Sequence, residues 1–141
     1  MLVGRAIHTL GKDGRVSIPS KMRETLINKY GSDELYMVLL PFDILCLFPV
    51  QEFEKLTEKF EKITENSIKD VIDSLERSAL ICSYAINCKI DSSGRILIPP
   101  DVMKSAQIKQ EILIIGAKNH IQLWDPELWQ REQKKLNREL F

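Results

Sequence analysis

The 141-residue sequence predicts an α+β protein, mainly β with helices, assembled from two tandem copies of one small module. Three observations carry this reading. Gly14-Arg15-Val16-Ser17-Ile18-Pro19 recurs 80 residues later as Gly94-Arg95-Ile96-Leu97-Ile98-Pro99, and self-similarity at a fixed offset is the signature of a duplicated unit. The segments after each copy match in kind and order. Between the copies, Gln51 to Ser83 contains neither Gly nor Pro and carries helical periodicity.

Taken in order, Leu2 to Leu10 is the first strand candidate, and Gly11-Lys12-Asp13-Gly14 has the residues of a tight connection. Val16 to Ile18 is the returning strand. Pro19 cannot donate to a sheet ladder, so the strand ends and a helix begins at Ser20, with Gly31 as its stop after Lys29 and Tyr30. Glu34 to Leu39 and Leu45 to Phe48 are two further strands. The second copy repeats the series: Tyr84 to Ile90, the connection Asp91-Ser92-Ser93-Gly94, the return Arg95 to Ile98, a helical run from Pro100, and strands Glu111 to Gly116 and Ile121 to Trp124. The offset drifts from 80 to 76 residues along the way, as short loop deletions would cause.

In the intervening segment Phe53, Leu56, Phe60 and Ile63, and then Ile68, Val71, Ile72, Leu75 and Ala79, fall at three- and four-residue spacing. Asn66-Ser67 interrupts them, giving two amphipathic helices whose apolar stripes pack on a module or on a neighbouring subunit. Asp125-Pro126 is an N-cap followed by Pro at the first helical position, opening a last helix toward Phe141. The organisation expected is a first module over residues 5–50, a helical linker over 51–83, a second module over 84–127 and a C-terminal helix over 128–141.

Composition narrows the function. With 44% apolar and 28% charged residues the chain is an ordinary globular protein. It has no apolar stretch of about 18 residues to span a membrane, and Arg5 and His8 break any secretory leader. A cytoplasmic location is expected. Cys46, Cys82 and Cys88 lack a C-x-x-C pair and read as reduced structural thiols in apolar or strand-like surroundings, with no metal site and no cofactor. His8 and His120 are isolated and read as structural or surface residues. No nucleophile stands beside a base in any recognisable motif, so an enzyme with a small-molecule substrate is not expected.

Net charge is zero, but its distribution is not even. Residues 1–30 hold six basic and two acidic side chains, 31–80 hold five and eleven, and 81–141 hold nine and seven. Positive charge thus falls on the repeat-bearing segments, and local potential is what steers a polyanion. At each repeated turn a long guanidinium, Arg15 or Arg95, stands where it can reach phosphate or the O6 and N7 of guanine. Lys12, Ser92 and Ser93 add phosphate-binding groups. Asp91 can hydrogen-bond the amides of its own turn, or pair with Arg95, and Gly14 and Gly94 shape the two turns. A surface turn needs its glycine; no turn geometry needs arginine next to it.

Asp91-Ser92-Ser93-Gly94-Arg95 with Ile98-Pro99, and the degenerate Gly11-Lys12-Asp13-Gly14-Arg15 with Ile18-Pro19, resemble the tandem SpoVT-AbrB arrangement of the MraZ family, and the resemblance covers nearly the whole chain. It implies two β-α-β units forming one pseudo-symmetric, swapped-hairpin barrel of the kind AbrB-like domains make as dimers. It also implies a transcriptional regulator, a repressor of its own division and cell-wall gene cluster, acting in the nucleoid as a ring-like homo-oligomer on direct repeats in promoter DNA. Arg15 and Arg95 take the place of the family's DNA-contacting arginine and Asp91 that of its aspartate. The first copy departs from the pattern, since Gly11 stands where that aspartate would be and Asp13 is the substitute at hand. The rival readings are an AbrB-like protein-interaction or antitoxin module, and a scaffolding ring without specific DNA readout.

Overall fold

The computed structural model describes residues 1–61 and 67–140. Strand β1 is Arg5–Thr9, β2 is Arg15–Ser17, and helix α1, Ser20–Thr25, runs on into a π turn, Leu26–Tyr30, closed by Gly31 in the left-handed region at φ 70°. Strands β3, Glu34–Leu40, and β4, Ile44–Pro49, follow, then helices α2, Val50–Glu61, and α3, Ile68–Ser83. The second copy gives β5, Ala85–Lys89, β6, Arg95–Leu97, α4, Pro100–Ser105, β7, Glu111–Gly116, and β8, Ile121–Trp124, and α5, Pro126–Leu140, completes the chain. None of these helices is long and apolar enough to cross a membrane.

The strands form a six-stranded antiparallel sheet in the order β1-β7-β8-β4-β3-β5 and a separate two-stranded ribbon, β2-β6. This order reads the same when the copies are exchanged. The registers agree: Leu35 faces Cys88 and its counterpart Ile112 faces His8, while Arg15 faces Leu97 and Ser17 faces Arg95. A pseudo-twofold axis therefore passes between Val16 and Ile96 and again between β4 and β8. Each copy lends its first strand to the other copy's sheet edge, and each second strand pairs only with its counterpart.

Two sequence expectations are corrected here. Val16 to Ile18 does not return on the first strand as a hairpin; β1 pairs with β7 and β2 with β6, an exchange that brings Val16 and Ile96 of the two copies into one shared core. Nor is the barrel closed by hydrogen bonds: β1 and β5 remain the edges of an open sheet, with the ribbon as a second layer. The first strand is also shorter than Leu2 to Leu10. Gly4 at φ 86° interrupts it, leaving Leu2 in a lone bridge to Lys118.

The main core lies between ribbon and sheet. Val16, Ile18, Ile96 and Ile98 meet Leu35, Leu45, Leu47, Ile112, Ile114, Ile121 and Leu123, with Met22 and Leu26 of the first helical stretch and Ala106 and Ile108 after α4 closing the sides. On the opposite face of the sheet, Phe53 of α2 packs with Val38, Cys46 and Phe48, and Trp129 of α5 meets Trp124 edge-on at 5.2 Å. Asp125 caps α5 by accepting from the amide of Glu127 at 3.2 Å, and Ser67 caps α3 through the amide of Asp70 at 3.2 Å. Asn66, Ile63 and Phe141, which the periodicity also placed, lie outside the described residues.

The apolar stripe of α3 is not buried within the chain. Ile68 is 81% and Leu75 65% exposed, while small or polar Ser74 faces inward. Cys82 likewise lies exposed on this helix rather than in strand-like or apolar surroundings, unlike buried Cys46 and half-buried Cys88.

One polar network ties the helices to the sheet. Buried Glu52 at the start of α2 accepts from Tyr30 Oη at 3.1 Å and Asn119 Nδ2 at 3.2 Å, and lies 3.5 Å from Lys55 Nζ. Burial alone would raise the Glu52 pKa, but these partners outweigh it and hold the carboxyl below its ordinary range, while burial and Glu52 together push the Tyr30 hydroxyl up to about 12. His120 stacks on Phe48 at 4.9 Å. Trp124 Nε1 donates to Gln122 Oε1, so the Gln122 amide donates to His120 Nε2 at 3.0 Å and His120 Nδ1 donates to Asn119 Oδ1 at 2.8 Å. This network orients the imidazole beside Phe48.

Two measurements follow from this packing. Ile96→Ala should cost about 2–5 kcal/mol in denaturant unfolding, because it empties a fully enclosed position at the pseudo-twofold axis. Burial holds the His120 pKa below its ordinary 6.5, partly offset by Glu52. The unfolded chain therefore takes up a proton that the folded chain refuses, and stability declines as pH falls through 6.5 toward the lower folded value. His120→Phe should flatten that slope in a pH series of urea midpoints.

Candidate nucleic-acid interface

The ribbon sorts its six residues by the strand period of two. Val16 and Ile96, 2% and 1% exposed, point into the core. Arg15, Ser17, Arg95 and Leu97 therefore share the outer face, and the register sets the two arginines diagonally across it, next to opposite partners. Leu97 is 54% exposed there. The two guanidinium groups, 80 residues apart in sequence, are thus neighbours on one short ribbon. Neither belongs to an ion pair among the described residues. Arg15 is exposed; Arg95 is half-buried, and its Nε is enclosed without a hydrogen-bond partner. A donor left in that state costs about 1–3 kcal/mol.

The connections at the ribbon ends differ. In the second, residues 91–94, Asp91 Oδ1 accepts from the amides of Ser93 at 2.8 Å and Arg95 at 2.9 Å, the Asp91 amide donates to Arg95 O at 2.8 Å, and Gly94 N donates to Asp91 O at 2.9 Å. The amide of Arg95 in particular holds the Asp91 carboxyl below its ordinary range, helped by the Ser93 amide and, through space, by both arginines. Asp91 makes no ion pair with Arg95 among the described residues; its contact is with the backbone. In the first, residues 11–14, Gly14 N reaches Gly11 O at 3.4 Å and Asp13 Oδ1 accepts from Arg15 N at 3.2 Å. Asp13 thus meets the amide of Arg15 from inside the turn, with longer bonds and no second amide.

Gly14 and Gly94 sit at φ 72° and 80°, where only glycine is unstrained. The carbonyl of each also accepts across the ribbon, Gly14 O from Ile98 N at 3.0 Å and Gly94 O from Ile18 N at 2.9 Å, extending the ladder into the turns. Lys12, Ser92 and Ser93 are exposed on the connections. Lys12, Arg15, Ser17, Arg95 and His8 line a polar recess of about 480 Å³ beside the ribbon. Residue-type reasoning overlooked Ser17 and Leu97, which strand alternation could have placed beside the arginines.

Comparison with known proteins settles the kinship. Residues 1–74 and 81–141 match the family model described as "MraZ protein, putative antitoxin-like". The chain belongs to the MraZ family. A relative named transcriptional regulator MraZ in Caldicellulosiruptor saccharolyticus is 36% identical, over 94% of this chain and 86% of its own length. Proteins of the same name in Finegoldia magna and Escherichia coli O9:H4 are 33% and 27% identical, covering 93% and 96% of this chain and 85% and 86% of their own lengths. These MraZ relatives are named as regulators of transcription, not as enzymes.

The bonding pattern yields a test of loop order. Asp91→Ala should speed amide exchange at both Ser93 and Arg95, whereas Asp13→Ala should affect Arg15 alone and by a smaller factor, read residue by residue by NMR in the absence of DNA.

Proposed function

We propose that this protein is a sequence-specific DNA-binding regulator of transcription that reads duplex DNA with the outer face of the β2-β6 ribbon. The observation that carries the reading is the diagonal pair Arg15 and Arg95 on that face, unpaired by any acid among the described residues and backed by an apolar layer. A two-stranded ribbon is one of the two elements that the major groove admits, and arginine bidentate to guanine is the commonest specific contact there. Leu97, level with Arg15, is the apolar group suited to a thymine methyl. Lys12, Ser92 and Ser93 supply phosphate contacts on either side, and Asp13, Gly14, Asp91 and Gly94 hold the loops that present them. In this reading residues 5–50 and 84–127 are two modules serving one reading head.

Two arginines specify few base pairs, so several copies acting together are part of the proposal. The outward apolar stripe Ile68, Val71, Ile72 and Leu75 on α3, and the open sheet edges β1 and β5, favour assembly of the chain with itself. A ring of such copies would engage direct repeats spaced by about one helical turn, roughly 10 bp, in the promoter of its own operon, adding weak contacts through avidity. The regulator's action would be repression, and its place the nucleoid.

The test is titration of the protein with duplex from directly upstream of its own gene beside a scrambled duplex. Arg15→Ala and Arg95→Ala are each expected to weaken the specific complex about tenfold or more with the oligomer intact, as loss of a base-reading contact worth about 1–3 kcal/mol requires. Lys12→Ala is expected to weaken both duplexes alike and to lower the salt slope by about one. Equal binding of the wild type to both duplexes would overturn the reading.

A further inference from the structure

Arg23 of α1 lies against the second connection, not its own. Its guanidinium covers the Cα of Gly94 so closely that a Cβ there would fall 2.6 Å from Arg23 Cζ and 2.7 Å from Nη1. Arg23 Nε donates to Ile18 O at 3.0 Å, and Ile18 N donates to Gly94 O at 2.9 Å. A closed clamp results, in which one planar group fastens the end of β2 to the loop that precedes Arg95. The other half of the molecule lacks it. Arg23 N bonds to Pro19 O one turn into α1, and Met103 N bonds to Pro99 O at the same point of α4, so Met103 is the pseudo-symmetric counterpart. There the first connection borders a cleft of about 810 Å³ lined by Lys12, Asp13, Gly14, Met103 and Lys104. The clamped loop has four bonds of 2.8–2.9 Å, and the unclamped loop has bonds of 3.2 and 3.4 Å.

We infer that Arg23 is a positioning residue for DNA recognition: it holds the Asp91–Arg95 loop in its reading conformation before DNA arrives, while the Arg15 loop is ordered by DNA itself. This rests on the ribbon being the DNA-reading surface. A guanidinium suits the task because it is planar enough to lie on a glycine Cα and fixes its Nε donor in the same plane; an ammonium does neither. The two halves of the reading head then differ in kind. The Arg95 half meets DNA preformed, and the Arg15 half binds with an ordering cost that makes its contact weaker and more adaptable.

The experiment is amide exchange on the full chain without DNA, followed by promoter titration at two salt concentrations. Arg23→Met, which installs the side chain of the other half, is expected to speed exchange of the Ser93, Gly94 and Arg95 amides about tenfold while Ile114 and Leu123 stay protected. Promoter affinity should fall with an unchanged salt slope. Arg23→Lys should behave like Arg23→Met. Unaltered exchange in Arg23→Met, or restoration by lysine, overturns the inference; so does a salt slope reduced by about one, which would mark Arg23 as a direct phosphate contact. The reciprocal Met103→Arg is expected to slow exchange at Gly14 and Arg15, and if Arg23→Met does not fold, failure of that slowing overturns the inference instead. Should the wild type show no preference for promoter DNA, the DNA reading falls, while the exchange data still decide whether Arg23 orders the loop.

Discussion

The antiparallel pairing of Arg15–Ser17 with Arg95–Leu97 is the constraint on which the molecule turns. Three residues cannot make a stable strand alone, and an isolated two-stranded ribbon is marginal in water. The ribbon persists because Val16 and Ile96 enter the core from its inner face while Ile18 and Ile98, just beyond it, bond back to Gly94 and Gly14. Neither copy can satisfy this arrangement by itself, so the two are mutually required. Exchange of β1 and β5 between the sheet edges has the same effect, since removing one copy would strip an edge strand and half of the ribbon from the other.

That constraint also fixes what the surface can present. With alternate residues committed inward, the outer face has only four positions, and two of them are arginines placed diagonally by the register. A slip of one residue would bury the charges and expose the isoleucine and valine, so the core and the charged face specify each other. The duplication then allows the halves to diverge without losing the pairing. Asp91 is retained in one connection while Gly11 and Asp13 share its place in the other, and Arg23 is matched by Met103. Both differences leave the first loop with fewer and longer bonds than the second. Identical turns would favour a symmetric reading head in the proposed function; the observed turns favour one rigid half and one adaptable half.

Much of this was legible in the sequence, because each strand, turn and helix is encoded locally. The Gly-Arg repeat, the prolines that end β2 and β6, the cap at Asp125 and the stripes of the linker all announce elements through short-range chemistry. The partners of those elements are not local. Nothing within Gly11 to Ile18 says that β2 pairs with a strand 80 residues away, and the tight turn makes a hairpin the natural reading. The same gap hid Arg23, whose role depends on which loop the pseudo-twofold axis brings beside it. The left-handed backbone at Gly4 interrupts the first strand, and a positive φ is invisible in composition. The α3 stripe is apolar as its spacing requires, but periodicity gives a face and not its direction. Here Ser74 takes the inner side and the leucine and isoleucines the outer.

The outward stripe bears on why one chain is a poor unit of recognition. In the proposed reading a single ribbon offers two base-reading side chains, and a few contacts of about 1–3 kcal/mol each cannot separate one promoter from a genome of competing sites. Zero net charge removes the remedy of a strongly basic body, which would strengthen binding everywhere without improving discrimination. Multiplying a weakly charged, correctly spaced head does improve it, because a site with one repeat engages one head while a site with several engages many, and only the latter gains the effective-concentration term. In the proposed assembly, an acidic linker that would keep nonspecific attraction low and an outward apolar helix face that would draw copies together are two parts of one solution: specificity carried by the spacing of heads rather than by the strength of any one.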